Sequence, residues 1–421
     1  MQQQNPLPPA LPSAETDSRP DILVGVAVAP SEKCGPEIGE QVSSALKRAF
    51  PSRPTAVVFL CPTGPHGDVQ VLATPPKPAQ TDQPAAALER PSPTLGGFLG
   101  QRSALPALLG EARRLNAPLC ALVAPEPRDP AADWLRLLVA PVLEDGYDFV
   151  CPAYRRRKLD GGINTAIVYP LTRALFGRRL RQPLGGELAV SRRFGDRLLE
   201  DESWQSDPAH AGADVWLVGM ALSSQCRVCQ AYLGAAPERR MEDMADLSEA
   251  LARVLGLLYR EMERHAPVWQ RITGSKAVPT FGEGGVLMDE APAVNVSRLL
   301  GAFDLGREQL REIWRLALPP ATHFALSRLN SDPTTFRLPD ELWARVIFDF
   351  ALAYRIRLID RTQLLRSMTP LYLGWLASFV NEVRDLGGQA TEDRIERLCK
   401  AFEASKSYLI ARWRWPDRFS P

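Results

Sequence analysis

The residues best suited to chemistry crowd into one stretch, from Tyr154 to Phe194. It reads Tyr154-Arg155-Arg156-Arg157, then Asp160-Gly161-Gly162-Ile163-Asn164-Thr165, then an apolar helix-like run through Leu171 and Phe176. Gln182-Pro183-Leu184-Gly185-Gly186-Glu187 follows, ahead of Ser191-Arg192-Arg193. Basic residues bracket two glycine pairs, and each pair sits beside a polar residue. Glycine lets backbone approach a ligand closely and adopt positive φ without steric cost. Arginine supplies the planar donor fork that phosphate and carboxylate accept. Together they describe a loop-built site for an anionic small molecule. The same residues would also make two glycine turns flanking a surface helix, with arginines serving solubility.

The rest of the chain must position that stretch. At 421 residues it is long for one core, which predicts two domains. Residues 1-20 are rich in Gln, Pro and Ser and read as a disordered tail. Ile22 to Val28 and Ala56 to Leu60 are short apolar runs of the kind found in buried parallel strands. Between them Gly35-Pro36-Glu37 opens a helix to about Phe50. Pro75 to Pro93 reads as an excursion. A helix over Ala104 to Leu115, a strand at Leu119 to Val123, a helix over Ala132 to Leu143 and a strand at Phe149 to Cys151 complete a doubly wound α/β pattern. Pro125-Glu126-Pro127 then falls at a strand's carboxyl end, where open α/β sheets bind ligands. A helix near Asp214 to Leu217 and a strand around Arg227-Val228 follow. Past Leu247 the apolar period becomes helical, as at Leu251, Val254, Leu255, Leu258 and Met262. This predicts an α/β domain over 21-240 and an all-helical domain over 241-421, joined through Pro279-Thr280-Phe281-Gly282, with a last helix over Glu392 to Trp413.

Composition excludes several classes. The formal charge of +1 gives no pull towards nucleic acid or anionic lipid. The apolar run Leu371 to Val380 is about half a membrane span, and no signal peptide is visible. Seven scattered cysteines fit reduced thiols and a cytoplasmic protein. Cys226 and Cys229 lie in a strand-like run, with no second pair to complete a zinc site, and are expected to be structural thiols. The four histidines are isolated, so no Ser-His-Asp or Cys-His set can be argued.

Tyr154-Arg155-Arg156, Asn164-Thr165, Tyr169-Pro170-Leu171-Thr172-Arg173 and Gln182-Pro183-Leu184-Gly185-Gly186-Glu187 resemble the acceptor half of retaining GT-A glycosyltransferases of the mannosylglycerate synthase and glucosyl-3-phosphoglycerate synthase type. The resemblance runs with gaps from about Asp21 to about Gly282. It implies a GT-A α/β domain followed by a C-terminal all-helical domain. It also implies transfer of a sugar from a nucleotide sugar to a small anionic, glycerate-like acceptor. By resemblance Gly185 and Gly186 form the loop beneath the acceptor, Asn164 and Thr165 bind its oxygens, and Arg155 pairs its carboxylate or phosphate. Glu187 and Asp214 are the implied catalytic residues, although Asp214 would equally serve as a helix N-terminal carboxylate.

The donor side departs from the family pattern. Such enzymes hold Mg²⁺ or Mn²⁺ with an Asp-x-Asp motif and often a histidine, and the metal stabilises the departing diphosphate. Here Ala124-Pro125-Glu126 and Pro237-Glu238 stand at those places, leaving Glu126 and Glu238 as the metal ligands. Gly100-Gln101-Arg102 replaces a Gly-Lys-Gly loop, leaving Gln101 and Arg102 for the donor. Two outcomes follow: a working transferase with weak metal dependence, or a degenerate homologue acting as a binding or partner protein. A homo-oligomer through the helical domain is compatible with either.

Overall fold

A computed structural model describes residues 19–28, 36–62, 69–73, 104–124, 133–201, 213–236, 244–285, 287–290 and 293–415. The expected tail, the excursion at Pro75 to Pro93, Gln101, Arg102, Glu126 and Glu238 lie outside these residues, as does the side chain of Asp214.

Ten strands are described: β1 Ile22–Ala27, β2 Thr55–Pro62, β3 Val69–Leu72, β4 Leu119–Val123, β5 Phe149–Arg155, β6 Arg178–Arg179, β7 Leu188–Ser191, β8 Val228–Ala235, β9 Lys276–Ala277 and β10 Thr280–Phe281. Eight of them form one sheet in the order β10-β8-β5-β7-β4-β1-β2-β3. The sheet is mixed, since β7 runs antiparallel between β4 and β5, and β3 antiparallel to β2. Every residue of β1 and β4 is buried. Such strands bury both faces, and so read as continuous apolar runs.

One face of the sheet carries Ile22, Val24 and Val26 against Leu46, Leu135 and Leu138 of helices Pro36–Ala49 and Trp134–Leu143. The other carries Leu23 and Ala27 in a larger cluster with Leu108 and Phe194 from helices Ala104–Arg114 and Arg192–Leu199. That cluster continues through Leu251, Trp343 and Trp375 of the C-terminal helices.

Several boundaries differ from expectation, each for a physical reason. β8 begins at Val228, so Cys226 precedes the strand and is half-buried, accepting a hydrogen bond from Ser224 Oγ, while Cys229 is buried within it. Burial pushes the Cys229 thiol up to about 12, consistent with an inert thiol. Thr280–Phe281 is no mere linker but an edge strand parallel to β8. The expected last helix is two, Gly388–Ala404 and Lys406–Arg414, broken at Ser405. Beyond β10 the described residues contain no further strand, only an isolated bridge between Arg156 and Leu287.

Candidate functional site

β1, β2, β4, β5 and β8 run parallel, so their carboxyl ends share one edge of the sheet. Because β7 is reversed, the residues preceding it arrive at that same edge. Leu188 pairs with Leu122 and Ala189 with Val150, which sets Gly185-Gly186-Glu187 beside the carboxyl end of β4 and alongside Pro152 and Tyr154 in the second half of β5. The loop is tightly fitted. A Cβ on Gly185 would lie 2.1 Å from Pro152 Cγ, and Gly186 has φ +91°, a conformation that favours glycine.

Glu187 is buried, and both carboxylate oxygens are engaged. Oε1 accepts from the Ala124 N–H at 3.2 Å and Oε2 from the Tyr154 hydroxyl at 2.6 Å. Gln182 performs the part of a strand partner where the register of β5 shifts. Its Oε1 accepts from Tyr154 N–H and Arg156 Nε, and its Nε2 donates to the Tyr154 carbonyl. These bonds satisfy backbone groups that a broken ladder would otherwise leave open.

Asn164 opens a five-residue π-helical turn, Asn164–Val168, leading into helix Tyr169–Phe176. Its Nδ2 donates to the Arg181 carbonyl at 3.1 Å, while Oδ1 is buried without a hydrogen-bond partner. Turns of this kind are frequent at functional sites, and a buried orphan acceptor calls for an explanation. Thr165 is buried in the same turn, and the Ala166 carbonyl accepts the Trp343 indole N–H at 2.9 Å.

The arginines divide unexpectedly. Arg173 is wholly buried, with two hydrogen bonds to Glu396 and one to Glu403. Arg181 makes a two-pronged pair with Glu392 at 3.0 Å on each arm. Arg192 pairs with Asp196 and Arg193 with Asp148; hydrogen bonds from Arg193, the Arg227 N–H and Ser191 hold the Asp148 carboxyl below its usual range despite its desolvation. Four of the bracketing arginines are thus neutralised within the fold. Arg155 is the exposed cation at the end of β5, and its guanidinium makes no hydrogen bond or ion pair among the described residues. Glu187 meets the neighbouring Tyr154 hydroxyl.

The structure brings together Glu187, Gly185, Gly186 and, through Arg181 and Gln182, Asn164. Asp214 lies in the first turn of helix Ala213–Ser223. Sequence reasoning gave no role to Tyr154, Gln182 or the acidic row Glu392, Glu396 and Glu403. Only that row carried a signal, in its spacing of four and seven along one helix face. Among the described residues, no group of three or more His, Cys, Asp or Glu could hold a metal ion; the two expected ligands, Glu126 and Glu238, lie outside them. A cavity of about 430 Å³ lined by Leu310, Ile313, Gln363 and Arg366 lies among the C-terminal helices, not beside these residues.

No protein-family model matches the sequence, and no curated protein matches it. Among solved structures, the chain is similar to glucosyl-3-phosphoglycerate synthase from Mycobacterium tuberculosis in complex with Mg²⁺ and uridine diphosphate. That likeness covers 57% of this chain and 79% of the other, at 17% identity and a TM-score of 0.36. A complex of the same enzyme with Mn²⁺, UDP-glucose and phosphoglyceric acid gives 16% identity over 58% and 80% of the two chains, with a TM-score of 0.34. A likeness this slight fixes neither a site nor a substrate. No helix among the described residues is long and apolar enough to cross a membrane.

Proposed function

We propose that the chain is a GT-A-type glycosyltransferase moving a sugar from a nucleotide-diphosphate sugar to a small anionic, glycerate-like acceptor. The observation that carries this reading is the delivery of Gly185-Gly186-Glu187 by a reversed strand to the carboxyl end of β4 and alongside Tyr154 of β5, at the edge where ligands of such sheets bind. Glu187 fixes the loop through Tyr154 and the Ala124 N–H. Asn164 divides the work of recognition with Arg155. With Nδ2 committed to the Arg181 carbonyl, Oδ1 can only accept, so it would take an acceptor hydroxyl. The anionic end belongs with the exposed Arg155 guanidinium. Asp214 would face the reacting sugar, and Gln101, Arg102, Glu126 and Glu238 would serve the donor and a divalent ion.

A second reading, a degenerate homologue that binds without transferring, is favoured by Glu187 itself. Both of its oxygens are engaged inside the protein, which suits a fastener better than a reacting group. UDP-glucose and 3-phosphoglycerate, the ligands of the similar structures, are the first probes. A thermal-shift series with UDP, UDP-glucose and 3-phosphoglycerate, each with and without Mn²⁺, reports binding by mass action, and UDP release reports transfer. Transfer predicts a UDP-glucose shift that grows with Mn²⁺ and acceptor-dependent UDP release. A phosphoglycerate shift without UDP release supports the second reading. No shift with any probe would refute both for these ligands.

A further inference from the structure

We infer that Glu392, on helix Gly388–Ala404 of the C-terminal part, is a positioning residue for the Asn164 carboxamide and the Gly185-Gly186-Glu187 loop. A hydrogen-bonded chain runs from one to the other. Glu392 holds both arms of the Arg181 guanidinium, which also lies over the Tyr169 ring at 5.3 Å. The Arg181 main chain is pinned on both sides, its N–H donating to Gln230 Oε1 at 2.6 Å and its carbonyl accepting from Asn164 Nδ2. The next residue, Gln182, holds Tyr154, and the Tyr154 hydroxyl holds Glu187. Arg181, Gln182, Tyr154 and Glu187 are all buried, so water does not compete for these bonds.

The direction of the Asn164 amide follows from this chain. A backbone carbonyl can only accept, so Nδ2 must face Arg181 and Oδ1 must face away. Moving Arg181 turns the amide and opens the strand-like pairing of Gln182 with Tyr154 together. Glu396, one turn further along the same helix, has no hydrogen-bonded route to the Arg181 main chain among the described residues: its partner Arg173 bonds Glu403, Ser275 and the Tyr169 hydroxyl, and Ser275 leads on only to the exposed Arg179. The C-terminal helices therefore belong to the working site through one carboxylate. The ligand-binding role of the loop rests on the function proposed above; the positioning itself does not.

Amide hydrogen exchange of the full chain separates the two. In Glu392→Gln, peptides covering residues 153–156 and 181–187 should exchange about tenfold faster. They should stay within about twofold of wild type in Glu396→Gln, which also loses a carboxylate from that helix. Glu392→Asp keeps the charge and should restore most of the protection; if Glu392→Gln fails to fold, Arg181→Lys, which keeps the cation but loses the two-pronged pair, takes its place with the same expected acceleration against Glu396→Gln. Equal acceleration in the two Gln variants, or none in either, would overturn the inference. Titration of 3-phosphoglycerate supplies the second arm, with weaker binding expected in Glu392→Gln and unchanged binding in Glu396→Gln. Should wild type not bind it, the proposed function loses its acceptor while the exchange result still decides the positioning role.

Discussion

Arg173→Met tests how the central stretch is held against the C-terminal helices. The guanidinium is fully buried and carries hydrogen bonds to Glu396, Glu403 and Ser275. Methionine fills much of the stem's volume, so the loss is mainly electrostatic. Breaking a buried pair by removing one partner costs roughly 3–5 kcal/mol, because a charge is left without compensation. The stranded carboxylates retain side-chain exposures of 33% for Glu396 and 21% for Glu403, which places the effect at the lower end, about 3 kcal/mol. Urea unfolding at neutral pH, followed by far-UV circular dichroism and tryptophan fluorescence, reads that loss. Adding Glu396→Gln and Glu403→Gln should recover most of it by removing the unpaired charges.

Acid provides an internal control. Arg173 hydrogen bonds hold the Glu396 carboxyl below its ordinary value of 4.5. A depressed folded-state pKa means stability present above the ordinary carboxylate value and lost as pH falls through the folded one. The gap between wild type and Arg173→Met should accordingly narrow below about pH 4.5. A single variant within about 1 kcal/mol of wild type at neutral pH would refute the reasoning, since a fully buried cation would then contribute no more than a surface pair.

Further variants probe separate features. Trp343→Phe leaves the Ala166 carbonyl without its indole donor and should destabilise by about 1–3 kcal/mol in the same unfolding assay. Gly185→Ala forces a methyl group against Pro152 and should cost about 1–3 kcal/mol, seen as a lower melting temperature; an unchanged value would show that the loop has room to move. Asp349, buried among Thr322, Tyr408 and Arg412, is pushed up to about 6 by desolvation against an ordinary 3.8. An acid whose folded pKa is raised binds its proton more tightly when folded, so its stabilising contribution is greatest in acid and declines as pH rises between those values. Relative to Asp349→Asn, wild type should lose about 2 kcal/mol between pH 4 and pH 7, and a pH-independent difference would contradict it.

The apolar runs that became β1, β2 and β4 were legible because burial on both faces leaves a continuous hydrophobic signature. The reversed strand β7 was not, since Leu188–Ser191 is short and follows a glycine loop. The candidate loop was visible as a pattern of residue types, yet the fate of its arginines depended on partners more than 200 residues away. Arg173 to Glu396 and Arg181 to Glu392 are separations of 223 and 211 residues. No local period encodes such a pairing. A row of arginines read as an anion site is equally suited to receiving a row of glutamates.

The same distance problem shapes the reading of the C-terminal helices. The change of apolar period near residue 240 opens the long helix Met244–Arg264, yet β10 returns to the sheet after it and packing runs across it. Trp343 and Trp375 share a core cluster with Leu171 and Leu175 of the central stretch. Two lysines tie the halves reciprocally. Lys158 donates to the Val383, Arg384 and Leu386 carbonyls at the end of helix Met368–Val383. Lys406 donates to the Leu175 carbonyl at the end of helix Tyr169–Phe176, and to that of Ile272. Each places a cation at the negative end of a helix in the other half, where the last carbonyls lack intrahelical donors. A scaffold that merely carried the α/β part would not need to cap its helices or hold Arg181, and this mutual dependence makes the C-terminal helices part of the framework that holds the loop.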